Sequence, residues 1–290
     1  MSRRRTLRCY EPCASERPPV TRNLRYKGFV RTAGEKLPAP PSRPADLDDD
    51  FATGAPDPSR WVSAYLPQWT TRERAAARWN AEPNGIRLRI DDDQPHWRPE
   101  DAPLRVSNLQ TATFSGPLGS TRGMHRHRTD GLTVHTEVPT SLLFAPSRGR
   151  VDVTISASTD SGAMVAAWLV GTEHLSADDA GEICIFEIDA EAIGTQTTRA
   201  RIGIKAHHDT RLTTDMNEER LPIDARRPHT WTVIWGDGET VIGCEGSVLR
   251  RFTQAPDYPL ALLIDIFETG TPQGPYPKSF VVHRVRGWQG

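Results

Sequence analysis

The stretch GEICIFEIDAE, residues 181–191, sets four acidic side chains, Glu182, Glu187, Asp189 and Glu191, into an otherwise apolar run. Burying a carboxylate without a partner is costly, so a strand carrying several needs a reason. Side chains two apart on a strand share a face. Glu182 and Cys184 therefore point the same way, and Glu187 points the other way unless a β-bulge adds one residue between them. A bulge at Ile185–Phe186 turns Glu182, Cys184, Glu187 and Asp189 into one cleft. It leaves Ile183 and Ile188 for the core, joined by one of the bulge pair. Two carboxylates about 5–5.5 Å apart suit glycosidic bond cleavage with retention. One is ionised and attacks the anomeric carbon. The other is protonated and releases the leaving sugar, its proton held by the nearness of a like charge.

The elements that must position these groups are short and alternating. GIRLRID (85–91), RVDVTISAS (150–158), GAMVAAWLV (162–170), GEICIFEID (181–189), TWTVIWGDGETVIGCEG (230–246), LALLIDIF (260–267) and SFVVHRVRGW (279–288) all read as strands, and GDGE (236–239) as a hairpin turn. The one helix expected is within TRERAAARWNAE, 71–82. The predicted architecture is all-β, a two-sheet antiparallel β-sandwich of jelly-roll type over residues 45–290. Residues 1–44, rich in Arg and Pro, are expected to form a disordered or loosely packed tail.

Composition narrows the function classes. The chain has 36 basic and 37 acidic residues and a net charge of −1, which gives no support for broad electrostatic binding to nucleic acid or an anionic membrane surface. No apolar run reaches the roughly 18 residues of a membrane span. The four cysteines, Cys9, Cys13, Cys184 and Cys244, are too few and scattered for a disulfide framework. The start, MSRRRTLRCYEPC, is not followed by an apolar segment of about 7–15 residues, so the expected location is cytoplasmic.

Six segments resemble glycoside hydrolase family 16, the concanavalin A-like jelly rolls that include β-glucanases, agarases and carrageenases. GEICIFE (181–187) is similar to the family motif E-x-D-x-x-E preceded by Gly, with Cys184 in place of the Asp. AAWLVG (166–171) looks like the Trp-bearing strand before it, PHTWTVIW (228–235) like H-T-Y-x-x-x-W, VIGCEGSVLR (241–250) like the hairpin ending in V-D-G, and FVVHRVRGWQ (280–289) like the closing strand. YPLALLIDIF (258–267) resembles the late strand. The resemblance implies Glu182 as nucleophile, Glu187 as acid/base, Trp168 as a sugar-stacking platform, and His207 or His208 as a histidine near the acid/base. It also implies a polysaccharide or oligosaccharide substrate, no cofactor, and an extracellular location as the alternative to the cytoplasmic one. Asp189, on the same face, joins the substrate-binding candidates. A second register is open: EIDAE (187–191) fits the bulge-free form E-x-D-x-E, with Glu187 as nucleophile and Glu191 as acid/base.

Two departures bear on activity. A thiol at 184 is neutral near pH 7 unless activated, so the pKa arrangement that an Asp supplies is lost or altered. This makes a catalytically weak or inactive glycan-binding protein the alternative. His283 stands where the closing strand often has an Asp, and imidazole is a poor calcium ligand. GSTRGMHRHR (119–128) fits the first half of a cupin metal motif through His125 and His127 but lacks the following Glu. It is expected to be an Arg-flanked surface hairpin, and no metal site is expected. The basic cluster Arg122 to Arg128 is a second candidate for the cleft wall, facing an acidic or sulfated sugar.

Overall fold

The computed structural model describes residues 34–128 and 130–290. Its first strands in chain order are β1 (Leu47–Asp49), β2 (Arg78–Glu82), β3 (Gly85–Ile90), β4 (Arg105–Gln110), β5 (Ala112–Thr113) and β6 (Ser141–Leu142). Next come β7 (Gly149–Ser156), β8 (Ala163–Gly171), β9 (Glu182–Asp189), β10 (Thr198–Lys205) and β11 (Asp215–Leu221). The last are β12 (His229–Gly236), β13 (Glu239–Cys244), β14 (Ser247–Phe252), β15 (Leu260–Glu268) and β16 (Lys278–Gln289). They form two large antiparallel sheets, beside a small one of β5 and β6. One runs β14-β13-β12-β7-β16-β3-β2 with β1 on β16, and the other runs β11-β10-β9-β8-β15-β4. The predicted two-sheet jelly roll is the observed architecture.

The sequence alternation explains the layering. Ile183, Phe186 and Ile188 of β9, Val165, Ala167 and Leu169 of β8, and Ile264 and Ile266 of β15 enter the core between the sheets. The intervening residues of β8 and β15, Ala166, Trp168, Val170, Ala261 and Leu263, enter a second apolar cluster. That cluster lies on the other face of the six-stranded sheet, together with Tyr65, Leu66, Trp69, Trp97 and Met124. The outer face of this sheet is therefore covered in part, by residues from 65 to 134. Apolar burial stabilises by about 25 cal/mol per Å², so both layers contribute to holding the sheet.

The GDGE turn forms as expected, with Asp237 and Gly238 left-handed at φ 49° and 78° between the paired residues Gly236 and Glu239. The expected helix over 71–82 does not. Only Arg72–Ala75 is helical, as α1, and Arg78–Glu82 becomes β2, paired with β3 from Arg78↔Arg89 to Glu82↔Gly85. Pro83 and Asn84 turn the chain into this hairpin and Trp79 packs on the core, so pairing overrides helix propensity. Upstream of position 45 the chain already meets the sheet: Leu37 N–H donates to Gly246 O at 2.9 Å, and Val248 N–H to Glu35 O at 2.9 Å. The rest of the N-terminal segment, with Cys9 and Cys13, lies outside the described residues.

Candidate active site

Strand β9 carries the bulge its acidic pattern requires. Across the β8 pairing, Cys184 opposes Trp168 and Phe186 opposes Ala167, so Ile185 has no partner and the register shifts. The extra residue returns Glu187 to the face of Glu182 and Cys184. One oxygen of each carboxylate and the Sγ lie within 4.8 Å of one another. Both bulge residues, Ile185 and Phe186, turn to the core, one more than expected. Glu191, the acid/base of the alternative register, lies outside the strand. The strand ends at Asp189, and Glu191 accepts from Gly162 N–H at 2.8 Å, away from the cluster.

Two cations from β10 hold these carboxylates. In the run from Ala200 to Lys205, the apolar residues enter the core and Arg201, Gly203 and Lys205 take the face of β9's carboxylates. Lys205 Nζ lies 3.0 Å from Glu182 Oε1 and 2.7 Å from Glu187 Oε1. Arg201 Nε donates to Glu187 Oε2 at 2.8 Å, and its outer nitrogens reach both oxygens of Asp189. His207 Nε2 lies 2.8 Å from the remaining oxygen, Glu182 Oε2. All four oxygens of the two glutamates are thus engaged. Burial alone would push the Glu182 carboxyl up, but Lys205 and His207 outweigh it and bring it down to about 2. Burial also works against charge on Lys205, yet Glu182 and Glu187 lift it well above the ordinary lysine range, so it stays an ammonium. Burial, reinforced by Glu187, drives the Cys184 thiol well above its usual value. It remains S–H and donates to Arg201 O at 3.6 Å.

Each residue singled out from the sequence has a definite place. Glu182, Cys184 and Glu187 come together as expected. Asp189 stands at the rim, paired with Arg201. Trp168 is buried, and the Lys205 ammonium sits 4.9 Å from its ring centre, so a cation occupies the face a sugar would need. His207 contacts Glu182 at 2.8 Å. His208 instead engages Arg126 O at 2.9 Å. GSTRGMHRHR is not a solvated hairpin. It is a loop whose Met124 and His125 are buried, with the His125 ring 5.1 Å from that of His207. Gln68 Nε2 and Trp69 Nε1 both donate to Met124 O, at 2.7 and 3.0 Å, and fix this loop over the site.

Lys205, Arg201 and Asp265 were missed by sequence reasoning. The alternation in ARIGIK, 200–205, already puts Arg201 and Lys205 on one face. What it does not say is that β10 lies beside β9. Asp265 opposes Ala166, which opposes Glu187, so it shares the site face. It is fully buried with neither oxygen bonded, and burial, reinforced by Glu182, raises it well above the carboxylate range. Asp265 is therefore a neutral acid beneath the ion cluster. Two surface cavities lie away from Glu182 and Glu187. One of about 540 Å³ lies among Arg78, Arg89, Asp91 and Tyr276 at the β2–β3 edge, and one of about 250 Å³ lies among Arg211, Gln254 and Tyr258.

Residues 135–275, which include both glutamates, match the family described as glycosyl hydrolases family 16. No curated protein sequence matches the chain. Among solved structures, it is similar to a GlcNAcα1-4Gal-releasing endo-β-galactosidase from Clostridium perfringens, with a TM-score of 0.73 at 20% identity over 87% of this chain. The alignment spans 65% of that enzyme's length. A non-specific endo-β-1,3(4)-glucanase of family 16 gives a TM-score of 0.57 at 21% identity, covering 88% of this chain and 94% of the glucanase. The laminarinase from Rhodothermus marinus gives 0.56 at 17% identity, covering 85% and 97%. At these identities the structural likeness speaks to the fold. Among the described residues, no helix is long and apolar enough to cross a membrane.

Proposed function

We propose, from the glycosyl hydrolase family 16 domain that residues 135–275 form, that this chain is a retaining endo-glycosidase or transglycosylase acting on a β-linked polysaccharide. The observation that carries the reading is the bulge at Ile185, which brings Glu182 and Glu187 to one face with an oxygen of each within 4.8 Å of the other. That separation suits a covalent glycosyl-enzyme better than the wider gap of about 6.5–9.5 Å that an inverting water needs. Glu182 attacks the anomeric carbon as the glycosidic C–O bond breaks. Glu187 gives its proton to the departing oxygen. Water or an acceptor sugar then attacks the same carbon, returns its proton to Glu187, and releases Glu182 as a carboxylate. Lys205 and His207, already on the Glu182 oxygens, stabilise that carboxylate as leaving group.

The resting arrangement is not yet the reactive one. Both Glu187 oxygens accept from cations, so neither is free to carry a proton toward a sugar. Glu182 is fully buried and Glu187 is 5% exposed. A substrate entering between the carboxylates has to lift the Met124–His125 loop and draw Lys205 off Glu187. The same closure favours a second reading, a protein that holds a glycan without cleaving it. Incubation with laminarin, lichenan, agarose or carrageenan separates the two. The enzyme releases reducing ends, and Glu182→Gln and Glu187→Gln each lower the rate by about 100-fold or more. Affinity without product selects the binding reading. Neither product nor affinity for any of the four glycans sinks both. Cys184→Asp restores the family's carboxyl and is expected to leave turnover unchanged or raise it.

A further inference from the structure

The cluster around Glu182 holds a second chemistry. We propose that His125, His207 and Glu182 form a site for a divalent transition metal, with zinc the best fit. The side-chain nitrogens of the two histidines and an oxygen of Glu182 lie within 4.8 Å of one another. Tetrahedral zinc bound to N and O at about 2.0–2.2 Å sets its ligand atoms about 3.3 Å apart. His207 Nε2 and Glu182 Oε2, now 2.8 Å apart, need open only slightly, and His125 needs to close on them by a side-chain rotation. Two histidines and one glutamate with a fourth position for water form a donor set that zinc accepts.

Three separate segments deliver the ligands: the loop pinned by Gln68 and Trp69, the first residue of β9, and the turn after β10. Both histidines are left-handed, His125 at φ 51° and His207 at φ 47°. That backbone is uncommon outside glycine and collects at functional sites. The His125 ring is buried against His207, Trp168 and His127. A neutral imidazole offers a metal the lone pair of its unprotonated nitrogen. Glu182 is already oriented for one-oxygen ligation, because Lys205 holds Oε1 and leaves Oε2 toward the histidines. The added ammonium does not bar a cation, since Glu187 lies 2.7 Å from it.

Zinc on Oε2 occupies the group proposed as nucleophile, so metal and glycosyl-enzyme exclude each other. Binding itself does not depend on turnover. The test is calorimetric titration of the chelator-treated full chain with zinc chloride, beside a thermal melt. One equivalent binds and raises the melting temperature. His125→Ala and His207→Ala each weaken binding by at least about 100-fold, and the remote His283→Ala retains it. Should the variants not fold, cobalt(II) added to the unaltered chain reads the same site. The proposal expects the intense visible absorption of a four- or five-coordinate ion, bleached by zinc. No heat and no melting shift, binding undiminished in both histidine variants, or only the pale spectrum of a hydrated cobalt ion overturns it. These readouts are scored without any glycan, so a failed glycosidase reading leaves them intact, and the reverse holds.

Discussion

Lys205 and Arg201 answer the difficulty that the acidic strand raises. Two carboxylates taken from water need partners: Lys205 bridges the two glutamates, and Arg201 joins Glu187 to Asp189. The balance has a pH signature. Glu182 falls from an ordinary 4.5 to about 2 on folding. Its ionised form stabilises the fold above pH 4.5, and that stability is lost as pH falls toward 2. The difference in unfolding free energy between the unaltered chain and Glu182→Gln should shrink by about 3 kcal/mol over that window, read by urea denaturation. Glu173 has the opposite sign. Burial, only partly offset by the Arg126 backbone N–H, pushes it up to about 8. The fold then loses stability as pH rises from 4.5 through 8, by about 4 kcal/mol at pH 8, and Glu173→Gln should abolish that loss. A flat difference for either pair of proteins refutes the assigned state.

At the scale of elements, the bulge in β9 needs a matching neighbour. Gly203 of β10 stands opposite Cys184, at the register shift, with φ of 150°. A Cβ there would lie 2.2 Å from the Asp215 carbonyl oxygen of β11. Only glycine lets β11, β10 and the bulged β9 lie side by side. Gly203→Ala is expected to destabilise by about 2–4 kcal/mol, measured in denaturant, and to lower glycan turnover with it. An unchanged midpoint would show that the strand can shift without harm. The same strand places Arg201 and Lys205 on either side of this glycine, so one element supplies both the space and the charge.

Over the whole molecule, the outer face of the six-stranded sheet is divided between an apolar cover and an ionic site. Tyr65, Leu66, Trp69, Trp97 and Met124 fill one part, and the carboxylates occupy what remains. The cover meets the site at Met124, whose carbonyl accepts from Gln68 and Trp69. Gly123 makes that approach possible, because a Cβ there would lie 2.8 Å from the Trp69 ring. Access is therefore governed by contacts remote from the chemistry. Removing both donors with Gln68→Leu and Trp69→Phe should speed amide hydrogen exchange of residues 123–127, read by mass spectrometry, while β9 keeps its protection. Equal exchange in the double variant and the unaltered chain would place the restraint elsewhere.

The alternation of apolar residues was enough to set out the sandwich, because a half-buried strand writes its two faces into its own order. The acidic pattern of β9 likewise required a bulge, since without it Glu187 would enter the core. Helix 71–82 was misjudged because an edge strand such as β2 takes its conformation from the partner it pairs with. The partners of the two glutamates, and the cover above them, were beyond local pattern. Lys205, His207, Asp265 and His125 reach Glu182 from positions 23 and 25 residues downstream, 83 further on and 57 upstream. Charge and coordination act over a few ångströms of space, and only folding decides which distant side chains share them.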